Sequence, residues 1–203
     1  MKLILNWSLV IVLWFAATAE AQQTINGCLI KRKTNCPGIN LSGANLTKSN
    51  LSGADLAGAN LSGADLSGSK ITETNLTKAN LSNANLSGAN LSETYLTSAN
   101  LSHANLAKAD LSQSTLPDAF LRDSNLAGAN LSLANLKGSD LTGANAKGAV
   151  FVMTSLVNAN LTRVDLTEAT LIGADLRNTI LEGTLFCKTT MPDKSINNSG
   201  CPK

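Results

Sequence analysis

The stretch Asn40-Leu41-Ser42-Gly43-Ala44-Asn45-Leu46-Thr47-Lys48-Ser49-Asn50-Leu51 decides the fold, because its pattern returns unbroken to the end of the core. An apolar residue recurs at every fifth position from Leu41 to Phe186, thirty positions in all. All are Leu except Ile71, Ala146, Phe151 and Phe186. Two residues before nearly every one stands a small side chain, and one residue before it usually Asn or Asp. A period of five fits neither an α-helix nor a simple strand. On a helix successive leucines would rotate by about 140° and leave no coherent face. As a short strand followed by a corner the unit makes sense. Ala44 and Leu46 lie two apart and point to one side, with Asn45 between them pointing to the other. Thr47 and Lys48 then turn the chain. Gly43, Gly53, Gly58 and Gly63 occupy the second corner position, where positive φ is expected. Such units cannot bury their apolar faces singly, so they must stack as a solenoid.

Outward from the repeat, the chain of 203 residues begins with Lys2 and an apolar run from Leu3 to Ala17, broken only by Asn6 and Ser8. Small-residue patterns follow at Ala17-Thr18-Ala19 and Ala19-Glu20-Ala21. This order describes a secretory signal over residues 1–21, cleaved after Ala21. The alternative is an uncleaved anchor, but the run is shorter than the ~20 apolar residues of a spanning helix. After cleavage no membrane association is expected.

The net charge of +2 and the scarcity of aromatics, 3% of the chain, argue against nucleic acid or an anionic membrane as partner. The four cysteines flank the repeats as two pairs, Cys28 with Cys36 and Cys187 with Cys201. An even count outside the cytosol reads as disulfides, with three connectivities formally open. A zinc site would need all four sulfurs in one coordination sphere.

The tandem A-[N/D]-L-x-x units of residues 39–186 resemble the pentapeptide-repeat family. The resemblance implies an all-β fold, a right-handed quadrilateral parallel β-helix with four units per coil. Thirty units then make about seven and a half coils and, at ~4.8 Å per stacked strand, a rod ~36 Å long. Because disulfide-bonded Cα atoms lie about 4.4–6.8 Å apart, such a rod implies the bridges Cys28–Cys36 and Cys187–Cys201. Residues 22–38 and 187–203 are expected to cap the two ends, which would otherwise expose strand edges and core. The C-terminal segment resembles the disulfide-bracketed cap of exported cyanobacterial members. Caps at both ends favour a monomer. Leu141, Ala146, Phe151 and Leu156 would be the inward residues of one coil, where an oversized Phe151 offsets an undersized Ala146.

The outward positions carry little chemistry. Asn40, Asn60, Asn80 and Asn100 form one column and Asn85, Asn105, Asn125 and Asn145 another, both read as hydrogen-bonded amide ladders. The basic run Lys31-Arg32-Lys33 reads as a solvated cap surface. His103 is the lone histidine, at a corner, and the acidic residues do not align in one column. No nucleophile, phosphate loop or metal spacing is present. An enzyme is not expected, nor a cofactor or metal. The candidate interaction patch is Leu133, Val150, Val152, Met153 and Ile172, which interrupts a polar surface. Phe120 and Ile180 replace outward Asn on another face. The patch is either an exposed site for an unidentified protein partner or a strip covered by the C-terminal tail. The functional expectation is a non-enzymatic structural or interaction module of the periplasm or thylakoid lumen. The alternative drawn from the family resemblance is a DNA-mimicking inhibitor of type II topoisomerases, which the leader and the near-neutral charge disfavour.

Overall fold

A computed structural model describes residues 23–202. The expected signal segment lies outside the described residues. Along the repeat, every fifth residue from Asn35 to Thr170 forms a parallel bridge with the residue twenty positions later. The chain therefore returns above itself every four units, and four bridge columns run the length of the stack. One column reads Asn50, Lys70, Asn90, Asp110, Asn130, Val150, Thr170, Thr190.

Backbone bonds explain why the unit has five residues. The Leu41 amide donates to the Asn60 carbonyl at 2.7 Å and the Gly43 amide to the Ser62 carbonyl at 2.9 Å, both in the next coil. The Asn60 amide returns a bond to the Ile39 carbonyl at 2.8 Å. Between these contacts the Ala44 amide donates back to the Leu41 carbonyl at 3.1 Å, closing a four-residue turn. Its third residue, Gly43, has φ +64°, the left-handed value of a type II turn. Every corresponding position from Gly38 to Lys188 has φ between +53° and +72°, whether glycine or not. No Val, Ile or Thr occupies any of them, consistent with the steric exclusion of β-branched side chains from this region. At most rungs the Asn or Asp oxygen also accepts the amide two residues on, as Asn40 Oδ1 does from Ser42 at 3.1 Å. The unit is thus a corner held by its own side chain.

The core is a stack of leucines with a small side chain two residues before nearly all of them, Ile39 and Val164 being the exceptions. Leu141, Ala146, Phe151 and Leu156 are all fully buried. Burying each Leu is worth roughly 1.5–3 kcal/mol. Where Ser or Thr replaces the small Ala, most hydroxyls find a main-chain acceptor. Thr74, Thr94 and Thr154 donate to the carbonyls of Leu51, Ile71 and Leu131 in the preceding coil. Among the described residues, the buried hydroxyls of Ser49 and Ser124 have no partner.

The stacking register runs further than the leucines do. Cys36 takes a leucine position at the start, its amide donating to the Asp55 carbonyl at 2.9 Å. Met191 takes one at the end, preceded by a fully buried Thr189 and a bridging Thr190. The repeat was expected to stop at Phe186 because Cys187 and Lys188 break its composition. Main-chain pairing carries it five residues beyond.

Both ends are closed by antiparallel hairpins. At the N-terminus β1 (Gln23–Ile25) pairs with β2 (Cys28–Ile30), and Cys28 is bonded to Cys36 across 6.1 Å between Cα atoms. At the C-terminus β3 (Thr189–Thr190) pairs with β4 (Ile196–Asn197), and Cys187 is bonded to Cys201 across 4.6 Å. The returning tail is seated by the Gly200 amide, which donates to the Phe186 carbonyl at 2.7 Å.

Candidate interaction surface

The patch is built from three successive coils. Phe151 fills the core, and on either side of it Val150 and Val152 point outward. The Leu133 amide donates to the Val152 carbonyl and the Met153 amide to the Ile172 carbonyl, both at 2.9 Å. The Gly173 amide continues the series to the Pro192 carbonyl at 3.0 Å. These bonds place Ser132, Val152, Ile172 and Pro192 in one file parallel to the rod axis. Leu133, Met153 and Gly173 form the corner file beside it. Leu133 is 54% exposed and Met153 64%, whereas Val150, Val152 and Ile172 are half-buried.

Thr190 and Pro192 stack on the end of this face and leave Leu133 and Met153 in solvent. Far from covering the strip, the tail lengthens it with Pro192. Ile196, 57% exposed, adds another apolar side chain on the cap hairpin. Neither was singled out from sequence, because both lie beyond the leucine pattern. Continued counting in fives from Leu171 would have placed Pro192 above Ile172. From Asn130 to Gly173 no charged residue stands at an outward or corner position of this face, and Asp193 beside Pro192 ends the uncharged stretch.

The other outward residues behave differently. Asn105, Asn125 and Asn145 each donate from Nδ2 to the Oδ1 one coil before, at 3.2, 3.2 and 3.3 Å, and Asn85 donates to Asp65 at 3.1 Å. This column is an amide ladder. The column of Asn40, Asn60, Asn80 and Asn100 is not. Its oxygens cap local amides, and among the described residues no amide-to-amide bond links its rungs. The expectation of two equivalent ladders is corrected accordingly.

The charged groups are dispersed, and among the described residues four carboxylates lie in ion pairs. Burial works against the charge of Asp140, but the Thr142 hydroxyl and amide and the Arg122 guanidinium outweigh it and hold the carboxyl below its ordinary value. Asp165 is held low in the same way, against its burial, by the Thr167 hydroxyl and amide and by Lys147. Asp175 is lowered first by the Arg177 side chain and then by the Arg177 amide. His103 sits exposed at a corner with φ +59°. Among the described residues no three His, Cys, Asp or Glu side chains are placed to share a metal ion.

The family model described as pentapeptide repeats matches the chain in eight copies over residues 39–77, 74–113, 104–143, 116–151 and 147–183. The chain belongs to the pentapeptide-repeat family. Members of this family fold as right-handed β-helices, and the observed coil conforms to that class in its strand pairing. Among solved structures, the chain is similar to HetL, a pentapeptide-repeat protein of Nostoc sp. strain PCC 7120 involved in heterocyst differentiation regulation. The identity is 29%, over 82% of this chain and 94% of that one, with a TM-score of 0.31. QnrB1, a plasmid-mediated fluoroquinolone resistance protein, matches at 20% identity over 74% and 89%, with a TM-score of 0.38. A pentapeptide-repeat protein of the Arabidopsis thaliana thylakoid lumen matches at 26% identity over 58% and 64%, with a TM-score of 0.25. TM-scores this low leave the family assignment resting on the repeat itself. The comparison with curated proteins found no match.

Proposed function

We propose that this pentapeptide-repeat protein is an exported, non-enzymatic interaction module of the periplasm or thylakoid lumen. It is a right-handed, four-sided rod that presents one rigid apolar side to a protein partner. The observation that carries this reading is the uncharged file of Val152, Ile172 and Pro192 with Leu133 and Met153 at its edge. A contiguous exposed apolar strip on a polar surface is the ordinary mark of a docking site. The two disulfides support an oxidising compartment, and the hairpins closing each end favour a monomer. The topoisomerase alternative has less support, because the net charge is +2 and the acidic residues do not align in one column.

The test is site-specific photocrosslinking in the native host, with the probe at Met153 and, as a control, at Asn105 on the ladder face. The expected result is a covalent adduct from Met153 alone, in the periplasmic or lumenal fraction, that is lost when Val152→Lys is added. Equal labelling from both positions, or adducts confined to the cytosol, would overturn the proposal.

A further inference from the structure

The face that carries Asn80 and Asn100 holds a second feature, distinct from the apolar strip. Phe120 occupies the next rung of this column, bridged to Asn100 on one side and to Asp140 on the other. Its ring is 49% exposed. A phenyl group there cannot cap the amide two residues on, as the Asn and Asp of neighbouring rungs do. The rung thus gives up a local hydrogen bond and leaves about half of an aromatic side chain in water. Phe120 and Arg122 stand out from the column as a ledge. Below them lies a hollow whose floor is Asn100, Ser102 and Asn80 and whose far side is Lys78.

The hydrogen-bonding state of this floor sets it apart from the adjacent face. On the ladder face each Nδ2 is consumed by the oxygen one coil away. On this floor Asn80 and Asn100 use only Oδ1, which accepts the Ser82 amide at 3.1 Å and the Ser102 amide at 3.0 Å. Among the described residues nothing accepts from their Nδ2 groups. The oxygens are held by the backbone, and the two Nδ2 donors are left for a ligand. They repeat at the ~4.8 Å interval of stacked strands, close to the length of one pyranose ring in a β-linked chain. The Arg122 guanidinium is directed to the Asp140 carboxylate, so the ledge carries little net charge.

We infer that this hollow binds a neutral, linear, β-linked oligosaccharide lying along the rod axis. A sugar ring packs its apolar C–H face on Phe120, and hydroxyls of successive rings accept from the Nδ2 groups of Asn100 and Asn80. An aromatic platform beside rigid planar amides is the chemistry that recognises a pyranose, which is apolar on its faces and polar around its rim. Arg122 is engaged by Asp140, so of the two cations lining the hollow only Lys78 is left to meet an anion.

The experiment is a titration of the full ¹⁵N-labelled chain with cellohexaose and with chitohexaose, read on the side-chain amide resonances. At least one hexaose should shift the Asn80 and Asn100 signals and leave those of Asn85 and Asn105 in place. Phe120→Ala should raise the apparent Kd by about tenfold, and Phe120→Trp should retain binding. Asn100→Asp keeps an oxygen to cap Ser102 and exchanges the donor for a charged acceptor, so it should weaken binding of a ligand that accepts there while leaving the fold intact. The inference is overturned if neither hexaose shifts Asn80 or Asn100, or if binding is indifferent to both Phe120→Ala and Asn100→Asp. It is equally overturned if a heparin-derived hexasaccharide alone produces shifts, which would make the hollow an anion site.

Discussion

Ser124 offers the sharpest test of how this core is held together. Its hydroxyl is buried without a partner, whereas its column neighbours Ala104 and Ala144 present only a methyl group at the same inward position. Leaving a buried hydroxyl unpaired costs about 1–3 kcal/mol, so Ser124→Ala should raise stability by about 1 kcal/mol or more. For a chain of this size that corresponds to a rise of about 2–4 °C in Tm. The control is Thr154, also fully buried, whose hydroxyl donates to the Leu131 carbonyl at 2.7 Å. Thr154→Val keeps the shape and removes that bond, and should lower stability by about 0.5–1.5 kcal/mol. Thermal melts and urea titrations of both variants read the difference, and the two changes should have opposite sign. A lower Tm for Ser124→Ala would refute the reasoning. So would equal shifts for the two variants, since burial and not bonding would then govern the inward position.

The left-handed corners can be tested in both directions. Met153→Gly and Leu133→Gly should stabilise by up to ~1 kcal/mol, because relief of the ~1–2 kcal/mol left-handed penalty exceeds the entropy cost of glycine. Gly143→Ala should be worse than Gly58→Ala, since an added Cβ at 143 would meet Asp123 Oδ1 at 2.3 Å, whereas nothing lies within 4 Å at 58. Urea midpoints check all four. Ala146→Leu should overpack its coil and cost about 1–3 kcal/mol, and Phe151→Leu added to it should recover part of the loss in a melt. Asp140 and Asp165 have folded pKa values below their unfolded ones, so their contribution is present above the unfolded value and is lost as pH falls through the folded value. Stability should decline below about pH 4, and Asp140→Asn should flatten that decline in acid titrations followed by circular dichroism. Reducing Cys187–Cys201 should cost about 3 kcal/mol for a closed loop of this length. By exposing the last coil it should also promote self-association, measurable by light scattering.

Much of the fold was legible because each unit repeats the same local requirements. Leu41 through Leu171 had to face inward, and a corner two residues later had to tolerate positive φ. The four-sided coil implied by the family resemblance predicted that Leu133 and Met153 would share one corner. It did not reveal that the repeat continues through Cys36 and Met191, because pairing there is made by main-chain groups that composition does not report. Nor did it show that Asn105 joins a ladder while Asn100 does not. Both follow Ala and precede Leu, but Ser102 stands two residues after Asn100 and Ala107 two residues after Asn105.

By itself the sequence determined the unit: its inward leucine, its capping Asn or Asp, its left-handed corner and the pairs of cysteines outside it. These are local demands, satisfied within five residues and so written into every five. Which units lie next to one another was decided only by the tertiary structure. A period of five is compatible with more than one number of sides. Only the closing of the coil at twenty residues, through hydrogen bonds between residues distant in the chain, set Val152 beside Ile172 and Pro192. The same closure set Phe120 beside Asn100. The surface on which function depends is a property of that closure.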